Sequence, residues 1–213
     1  MSGDDRTGMP YQSLGGVAKG ALALNTWWHV DKVVMRRKVL AIAPQFHIFD
    51  MSGAMLLYCH QKLFKLKEDI RVYADESKQT EILTIKARSI IDFSAAYDVV
   101  DAQTQERVGV LRRRGWKSIL RDEWHILDAG EQHIGTLQES GAAWLRRVLS
   151  FLPQRYELRL GEEVVGHIRQ YWNPFVFKAE MDLGADALRR LDRRLALAAG
   201  LLLMAIDRRQ NQV

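Results

Sequence analysis

An uninterrupted apolar run near the C-terminus constrains the fold of this 213-residue chain more than any other feature. Leu195 to Ile206 contains no polar side chain, and one Asp and two Arg flank the run on each side. Ala, Leu and Met dominate and proline is absent, so we predict a helix over about residues 186–209. A helix that is apolar on all sides must be enclosed. The apolar run covers roughly 18 Å, less than the roughly 30 Å of bilayer hydrocarbon, so we expect the rest of the chain to enclose it.

Composition limits the cellular setting and the kind of partner. The chain is 47% hydrophobic, which is enough to bury a full core. The single Cys59 excludes an intramolecular disulfide and suits a reducing compartment. No signal-type hydrophobic block follows Asp4 and Asp5, so we expect a cytoplasmic protein. A formal net charge of +5 favours anionic partners, and a basic protein without such a partner is the alternative.

A unit of strand, polar turn and strand recurs along the middle of the chain. Its clearest copies begin at Tyr97, Trp124 and Tyr156. In each copy an aliphatic residue follows the aromatic residue by two positions, which places both side chains on one face of a strand. The turns are rich in Asp, Gly, Gln and Glu, which favour chain reversal. We therefore predict three β-hairpins here.

Each return strand of these hairpins carries a glycine two residues before an aliphatic side chain. The three are Gly109, Gly135 and Gly166. Glycine inside a strand weakens it, and usually marks a bend or a close approach of another backbone. Three glycines at one place in three hairpins suggest a shared cause, which a sheet curving around a central helix would supply. Coincidence is the alternative.

Two looser hairpins lie upstream, with turns at residues 50–53 and 75–79. A strand over Val33 to Ala43 and a last one over Phe175 to Met181 bring the predicted total to twelve. A sheet of that many strands tends to close, and closure removes its edges. The lumen of such a barrel is wider than wall side chains usually fill. We predict a mainly β protein of the α+β type, a closed twelve-stranded antiparallel β-barrel around the hydrophobic C-terminal helix.

Two segments fall outside this strand pattern. Residues 1–29 show little apolar periodicity, which predicts a flexible leader before a folded domain over residues 30–213. In residues 141–152 the apolar side chains, Trp144 among them, share one helical stripe, with Arg146 and Arg147 opposite. This segment is a candidate membrane-contact helix. A structural helix that covers one end of the barrel is the alternative.

The order of these features resembles the tubby C-terminal-like superfamily, which includes LURP-one-related proteins and phospholipid scramblases. The resemblance depends on the hairpin series, on the loop from Arg113 to Ser118 that leads to Trp124, and on Phe175-Val-Phe-Lys before the final helix. It covers roughly residues 30–209. It implies a closed twelve-stranded barrel threaded by a C-terminal helix.

The same resemblance implies a relation to membrane lipid. Tubby domains bind phosphoinositides through a basic pocket, and scramblases are linked to calcium and to lipid movement. Calcium binding of the scramblase type needs several acidic ligands before the final helix, and this chain has only Glu180, Asp182 and Asp186 there. We therefore expect no calcium site. Since the helix is too short to anchor the chain, we expect any membrane association to be peripheral, at the inner membrane face.

A site for a lipid headgroup requires several cations on one patch, because each basic residue near an anionic surface adds only about 1 kcal/mol. The best candidates surround the aromatic side chain of Trp116. A solvated basic loop is the alternative. The candidates are Arg112, Arg113, Arg114 and Lys117, followed by a second group, Lys62, Lys65 and Lys67, and a third, Arg36, Arg37 and Lys38.

Motifs for catalysis are not found in the sequence. There is no nucleophile elbow, Walker loop, dinucleotide fingerprint or pair of Cys or His at zinc spacing. His125 and His133 share one hairpin and could approach each other, but isolated histidines are commoner than metal ligands. We predict no enzymatic activity, no cofactor and no metal, and we do not expect nucleic acid as a partner.

Two hypotheses of function remain open on the sequence alone. The first is a non-enzymatic barrel that binds anionic phospholipid headgroups at a membrane surface, which the net charge of +5 favours. The alternative is a protein-interaction or regulatory barrel with no lipid role. The sequence does not determine the oligomeric state.

Overall fold

The structure is a computed structural model that describes residues 27–37, 44–61, 69–88, 95–114, 123–140, 154–171 and 177–210. For residues 206–210 it describes the backbone only. Most of the predicted leader falls outside these residues. Its last part, Trp27–His29, forms a short 3-10 helix in which Trp27 is buried.

Twelve strands and one α-helix make up the described chain. Most strands alternate buried side chains with more exposed ones, because successive residues of a strand point to opposite faces of the sheet. The strands are β1 Lys32–Arg37, β2 Gln45–Phe49, β3 Met55–Gln61, β4 Asp69–Tyr73, β5 Glu81–Ala87, β6 Ala96–Asp101, β7 Arg107–Arg113, β8 Glu123–Leu127, β9 His133–Glu139, β10 Gln154–Leu160, β11 Glu163–Tyr171 and β12 Phe177–Asp182, and the helix is α1 Arg193–Gln210.

The twelve strands form a closed antiparallel barrel. Each strand pairs with its neighbours in sequence, and β1 pairs with β12 from Lys32↔Asp182 to Arg37↔Phe177. Because of this closing seam, none of the twelve described strands has an edge exposed for pairing with another chain. The predicted strand number, pairing direction and closure are confirmed.

The helix α1 fills the barrel. Every side chain from Leu195 to Ala205 is buried, as expected for a helix without a polar face. At Gly200 the helix approaches the wall so closely that an added Cβ would lie 2.8 Å from Cε of Met35 on β1. The prediction that the chain encloses its own apolar helix is confirmed.

The helix begins later than the sequence predicts, at Arg193 rather than near Asp186. Asp186 accepts hydrogen bonds from the backbone N–H groups of Arg190 and Leu191, at 3.0 Å each. Arg189 adopts a left-handed backbone conformation, with φ of 52°, which is incompatible with a continuous right-handed helix. Asp192 then caps the helix, because its carboxylate accepts the N–H of Arg194.

The three strand glycines do share one cause, and it lies mainly in the wall. Each glycine faces a carbonyl oxygen of the next strand, and a Cβ on Gly109 or Gly135 would overlap the oxygen of Leu127 or Arg159. A Cβ on Gly166 would lie 3.0 Å from such an oxygen and 2.6 Å from a side-chain carbon of Leu183. A register shift follows the cross-strand partner of each glycine, so these positions are where the wall bends. At Gly109 the nearest atoms also include a side chain of α1, that of Leu195.

The antiparallel order gives the barrel two different ends. At the turn end, the five tight hairpin turns meet the start of α1 and the short 3-10 helix. At the loop end, six connecting segments join β1 to β2, β3 to β4, β5 to β6, β7 to β8, β9 to β10 and β11 to β12. The helix runs from the turn end towards the loop end.

Candidate functional site

The turn end of the barrel is acidic. Its five hairpin turns contain seven acidic residues, one lysine and no aromatic residue. Several of these carboxylates stabilise their own turns. The Asp50 carboxylate, for example, accepts the N–H groups of Ser52 and Ala54, at 2.9 Å each. The seven acidic residues are Asp50, Asp75, Glu76, Glu106, Asp128, Glu131 and Glu162.

The segments that connect strands at the loop end have the opposite composition. Residues 38–43, 62–68, 89–94, 115–122, 141–153 and 172–176 together contain eight Lys or Arg, three Asp or Glu and seven Phe or Trp. These segments are not among the described residues, but the strand ends that they join are. The net charge of the connections therefore changes sign from one end of the barrel to the other.

The arginines that the sequence singles out lie at the end of β7, and the strand divides them between two faces. Arg112 and Arg114 are on the outer face and exposed. Arg113 is partly buried and pairs with Trp124, whose side chain belongs to the core. The alternation of a strand thus places Arg113 towards the barrel interior, away from the two arginines beside it.

Both outer arginines are ion-paired. Arg114 donates to the two carboxylate oxygens of Glu123, at 2.8 and 2.9 Å. Arg112 lies 3.4 Å from Glu131, a turn residue that also accepts hydrogen bonds from Arg88 and Arg107. Hydrogen bonding from Arg88 in particular lowers the pKa of Glu131, so this carboxylate stays charged. The glutamates reduce the positive charge that the two outer arginines could offer to a ligand.

The two histidines of the β8–β9 hairpin do come together, as the sequence suggested they could. The rings of His125 and His133 are 4.8 Å apart in an edge-to-face arrangement. Burial lowers the pKa of His125, and the nearby His133 lowers it further. Within the described part of the chain, no group of three or more Cys, His, Asp or Glu is arranged to hold a metal ion.

The three acidic residues before the helix are each engaged by a neighbouring part of the protein. Asp182 forms an ion pair with Lys32 at 2.9 Å, and Glu180 with Lys178 at 2.6 Å. Asp186 forms a buried ion pair with Arg193 at 3.0 Å. The Asp182 carboxylate bridges the closing seam between β12 and β1, Glu180 pairs within its own strand, and Asp186 holds the start of α1.

A second basic cluster on the outer wall was not predicted from the sequence. It lies on β10, β11, β12 and β1, near the loop end, and we call it the wall patch. Only one of its members, on β1, belonged to a basic group identified in the sequence. The others alternate with buried residues along their strands and appear isolated until the strand pairing is known. The wall patch consists of Arg36, Arg155, Arg169 and Lys178.

The remaining candidate residues lie outside the described part of the chain, and their predicted roles stay predictions. Among the described residues, no helix is both long enough and apolar enough to cross a bilayer. The candidates in question are Trp116 and Lys117, Trp144, Arg146 and Arg147, and Lys38, Lys62, Lys65 and Lys67.

A closed twelve-stranded barrel filled by its own C-terminal helix is the architecture of a tubby-like domain. The chain belongs to the LURP-one-related family, whose model matches residues 55–203, and this family is part of the tubby-like superfamily. No curated protein matches the chain. Members of the family are in general not enzymes. Family membership agrees with the fold and does not specify a ligand.

Proposed function

We propose that this protein binds anionic phospholipid headgroups peripherally, with the loop end of its barrel facing the membrane surface. The observation that supports this most directly is the reversal of charge along the barrel axis. The loop-end connections carry an excess of Lys and Arg and also contain seven Phe or Trp, whereas the hairpin turns are acidic and contain no aromatic residue. A protein with this distribution is oriented by an anionic surface as it approaches.

The composition of the loop end suits a membrane interface. Trp combined with Arg or Lys is typical of the headgroup region, where an aromatic ring meets the hydrocarbon edge and a cation meets phosphate. In this proposal Trp116 and Lys117 act together with Arg112 and Arg114. The segment with Trp144, Arg146 and Arg147 makes a second contact. Each cation contributes about 1 kcal/mol, so several must act together for stable binding.

The proposal also indicates where the protein would act. The cytoplasmic leaflet of a cell membrane is rich in anionic lipid, and each basic residue near it is attracted within about one Debye length. A cytoplasmic protein with a basic loop end would therefore associate with the inner face of the membrane. Its attachment would be reversible and would weaken as the salt concentration rises.

Liposome sedimentation tests the proposal. Purified protein is mixed with vesicles of phosphatidylcholine alone or with vesicles that also contain phosphatidylserine. We expect binding to the anionic vesicles only, and weaker binding in high salt because screening shortens the range of the attraction. Equal and negligible sedimentation with both kinds of vesicle would rule the proposal out.

A pair of double variants tests the orientation. Arg112→Gln with Arg114→Gln removes two positive charges at the loop end, and Lys32→Gln with Lys78→Gln removes two at the turn end. We expect the loop-end variant to lose about tenfold or more in vesicle affinity and the turn-end variant to lose much less. Equal losses would show that only the total charge matters.

A protein-interaction role is the second candidate function, and one feature of the turn end favours it. Met51, Met55 and Leu188 are large apolar side chains that are 64%, 41% and 82% exposed. Exposed apolar side chains are common where proteins bind each other. Affinity capture from a lysate tests this role, with the wild-type protein as bait and the Leu188→Ser variant as the control bait. Failure to recover a reproducible partner that depends on Leu188 would count against it.

A further inference from the structure

Two arginines lie side by side on adjacent strands of the outer wall, without a described carboxylate between them. Arg155 on β10 is the direct cross-strand partner of Arg169 on β11, and both are exposed. Like charges at directly opposed positions of a sheet are destabilising. On the other side of Arg155 the β9 ladder ends at Glu139, the partner of Tyr156. On its other side Arg169 is directly opposite Glu180 of β12, which pairs with Lys178. Within the described chain, neither arginine itself forms an ion pair with an acidic side chain.

The positive charge continues onto the next two strands. Lys178 on β12 is opposite Arg36 on β1, one pleat nearer the loop end than Arg169. Directly opposed residues are about 5 Å apart and diagonal neighbours about 7–8 Å, so Arg169 neighbours both Arg155 and Lys178, and the four cations form one continuous strip across four strands. The only described contact of the Arg36 guanidinium is with the ring of Phe49, at 5.2 Å, which leaves its N–H donors free for a ligand.

One tyrosine and one glutamate hold this cluster in place. The ring of Tyr171 lies between the guanidinium of Arg169, at 4.7 Å, and the ammonium of Lys178, at 5.2 Å. Its hydroxyl donates to Glu180 at 2.7 Å, and Lys178 lies 2.6 Å from the other oxygen of that carboxylate. The hydrogen bond from Lys178, followed by that from Tyr171, lowers the pKa of Glu180.

The charges of the wall patch therefore do not balance. Two carboxylates lie beside these four cations, and both are already engaged: Glu180 by Lys178 and Tyr171, and Glu157, two residues after Arg155 on β10, by Arg159 at 2.8 Å. Arg155 and Arg169 keep their planar donor groups, which match the geometry of phosphate oxygens. A phosphate bound between them would replace mutual repulsion by attraction to a shared anion.

We infer that the wall patch, Arg36, Arg155, Arg169 and Lys178, is a binding site for a phosphate group. The phosphate could be part of a lipid headgroup or of a soluble phosphorylated molecule. If the phosphate belongs to a lipid headgroup, the inference rests on the proposed function and adds a second binding site to it. The wall patch is close to the loop end, since Arg155 is the second residue of β10 and Lys178 the second of β12.

Nuclear magnetic resonance with inorganic phosphate tests the site without a membrane. Phosphate is titrated into the full-length protein at constant ionic strength, with chloride as the matched salt. We expect saturable shifts of the Arg155 and Arg169 side-chain Nε–H signals with phosphate and not with chloride. The variant Arg155→Gln with Arg169→Gln should lose the saturable response, and Lys32→Gln with Lys78→Gln should keep it. The same response to both salts in the wild-type protein would overturn the inference.

Vesicle binding then separates the two sources of phosphate. Vesicles of phosphatidylcholine with phosphatidic acid present a phosphate monoester at the surface. If the phosphate is a lipid headgroup, Arg155→Gln with Arg169→Gln should weaken binding to these vesicles on the order of tenfold or more. The turn-end variant Lys32→Gln with Lys78→Gln has the same change in formal charge and should bind nearly as well as the wild-type protein.

The two assays distinguish failure of this inference from failure of the proposed function. Vesicle binding that persists unchanged in Arg155→Gln with Arg169→Gln, without phosphate shifts, overturns the wall patch and leaves the membrane role standing. Phosphate shifts at the wall patch without any vesicle binding support a site for a soluble ligand and reject the membrane role. Because the comparison of phosphate with chloride in the wild-type protein can by itself overturn the inference, the test does not depend on the folding of a variant.

Discussion

Arg193 and Asp186 form a buried ion pair at the mouth of the barrel, with the arginine Nη1 3.0 Å from the carboxylate Oδ2. The Asp186 side chain is fully buried and that of Arg193 is 6% exposed. The guanidinium also reaches Asp31, just before β1, at 3.0 Å. The pair and its contact with Asp31 therefore tie the start of α1 to both strands of the closing seam, at the turn end of the barrel. Burying two charges is costly, so removal of either partner leaves the other buried with less compensation.

Asp186→Asn should destabilise the protein by about 3 kcal/mol, because it leaves the Arg193 guanidinium buried with only Asp31 as a charged partner. Urea unfolding followed by circular dichroism measures the change in the free energy of unfolding. Asp192→Asn is the matched control, since Asp192 is partly exposed and asparagine caps a helix as well as aspartate does. A loss of less than 1 kcal/mol in Asp186→Asn would contradict the structural role of the pair.

Gly135→Ala should destabilise the barrel by about 2–3 kcal/mol. The new Cβ would overlap the backbone oxygen of Arg159 on the neighbouring strand, and a backbone atom cannot move aside as the tip of a flexible side chain can. Gly130→Ala, in the turn of the same hairpin, meets only an oxygen of Asp128 at 3.4 Å and should change stability by less than about 0.5 kcal/mol. Equal effects of the two substitutions on urea unfolding would refute this explanation of the strand glycines.

His125 should titrate below the ordinary pKa of 6.5, because burial and then the nearby His133 lower its pKa. As the pH falls below 6.5, the unfolded chain takes up a proton at His125 before the folded protein does. The contribution of His125 to stability is therefore present above pH 6.5, and it is lost as the pH falls through the lower pKa of the folded state. Nuclear magnetic resonance of the ring protons measures the midpoint directly. His133→Gln should raise it, and a wild-type midpoint at or above 6.5 would refute the assignment.

Cys59 should be unreactive in the folded protein. Its side chain is buried in the core, and burial raises the pKa of the thiol, which keeps the nucleophilic thiolate scarce. An aromatic disulfide reagent such as Ellman's should react with the protein only as urea unfolds it, at the midpoint that circular dichroism reports. The fully unfolded chain provides the reactive control, and rapid labelling without urea would contradict the buried position.

Much of the fold could be predicted because its signals are local in the sequence. The pairs Tyr97 and Val99, or Trp124 and Ile126, place two apolar side chains on one face of a strand, and both pairs are buried in the barrel. The start of α1 could not be predicted in the same way. Its position depends on hydrogen bonds from the backbone of Arg190 and Leu191 to Asp186, which helix propensity does not describe.

The candidate site was less accessible to sequence reasoning than the fold. Adjacent arginines such as Arg112 and Arg113 look like one patch in the sequence, but strand alternation places them on opposite faces of the wall. Ion pairing is similarly invisible, because the partner of Arg112 is Glu131, on a different hairpin. Proximity along the chain is therefore a poor guide to which charges act together on a sheet.

The sequence by itself determined that twelve strands and an apolar helix had to form, because hydrophobic periodicity is a property of neighbouring residues and an apolar helix must be covered. Only the tertiary structure decided which charges are paired and which are free. Arg36 and Lys178 stand opposite each other because β1 pairs with β12 to close the barrel. Register and closure arise from contacts between residues far apart in the chain, so the wall patch exists only once the chain has folded.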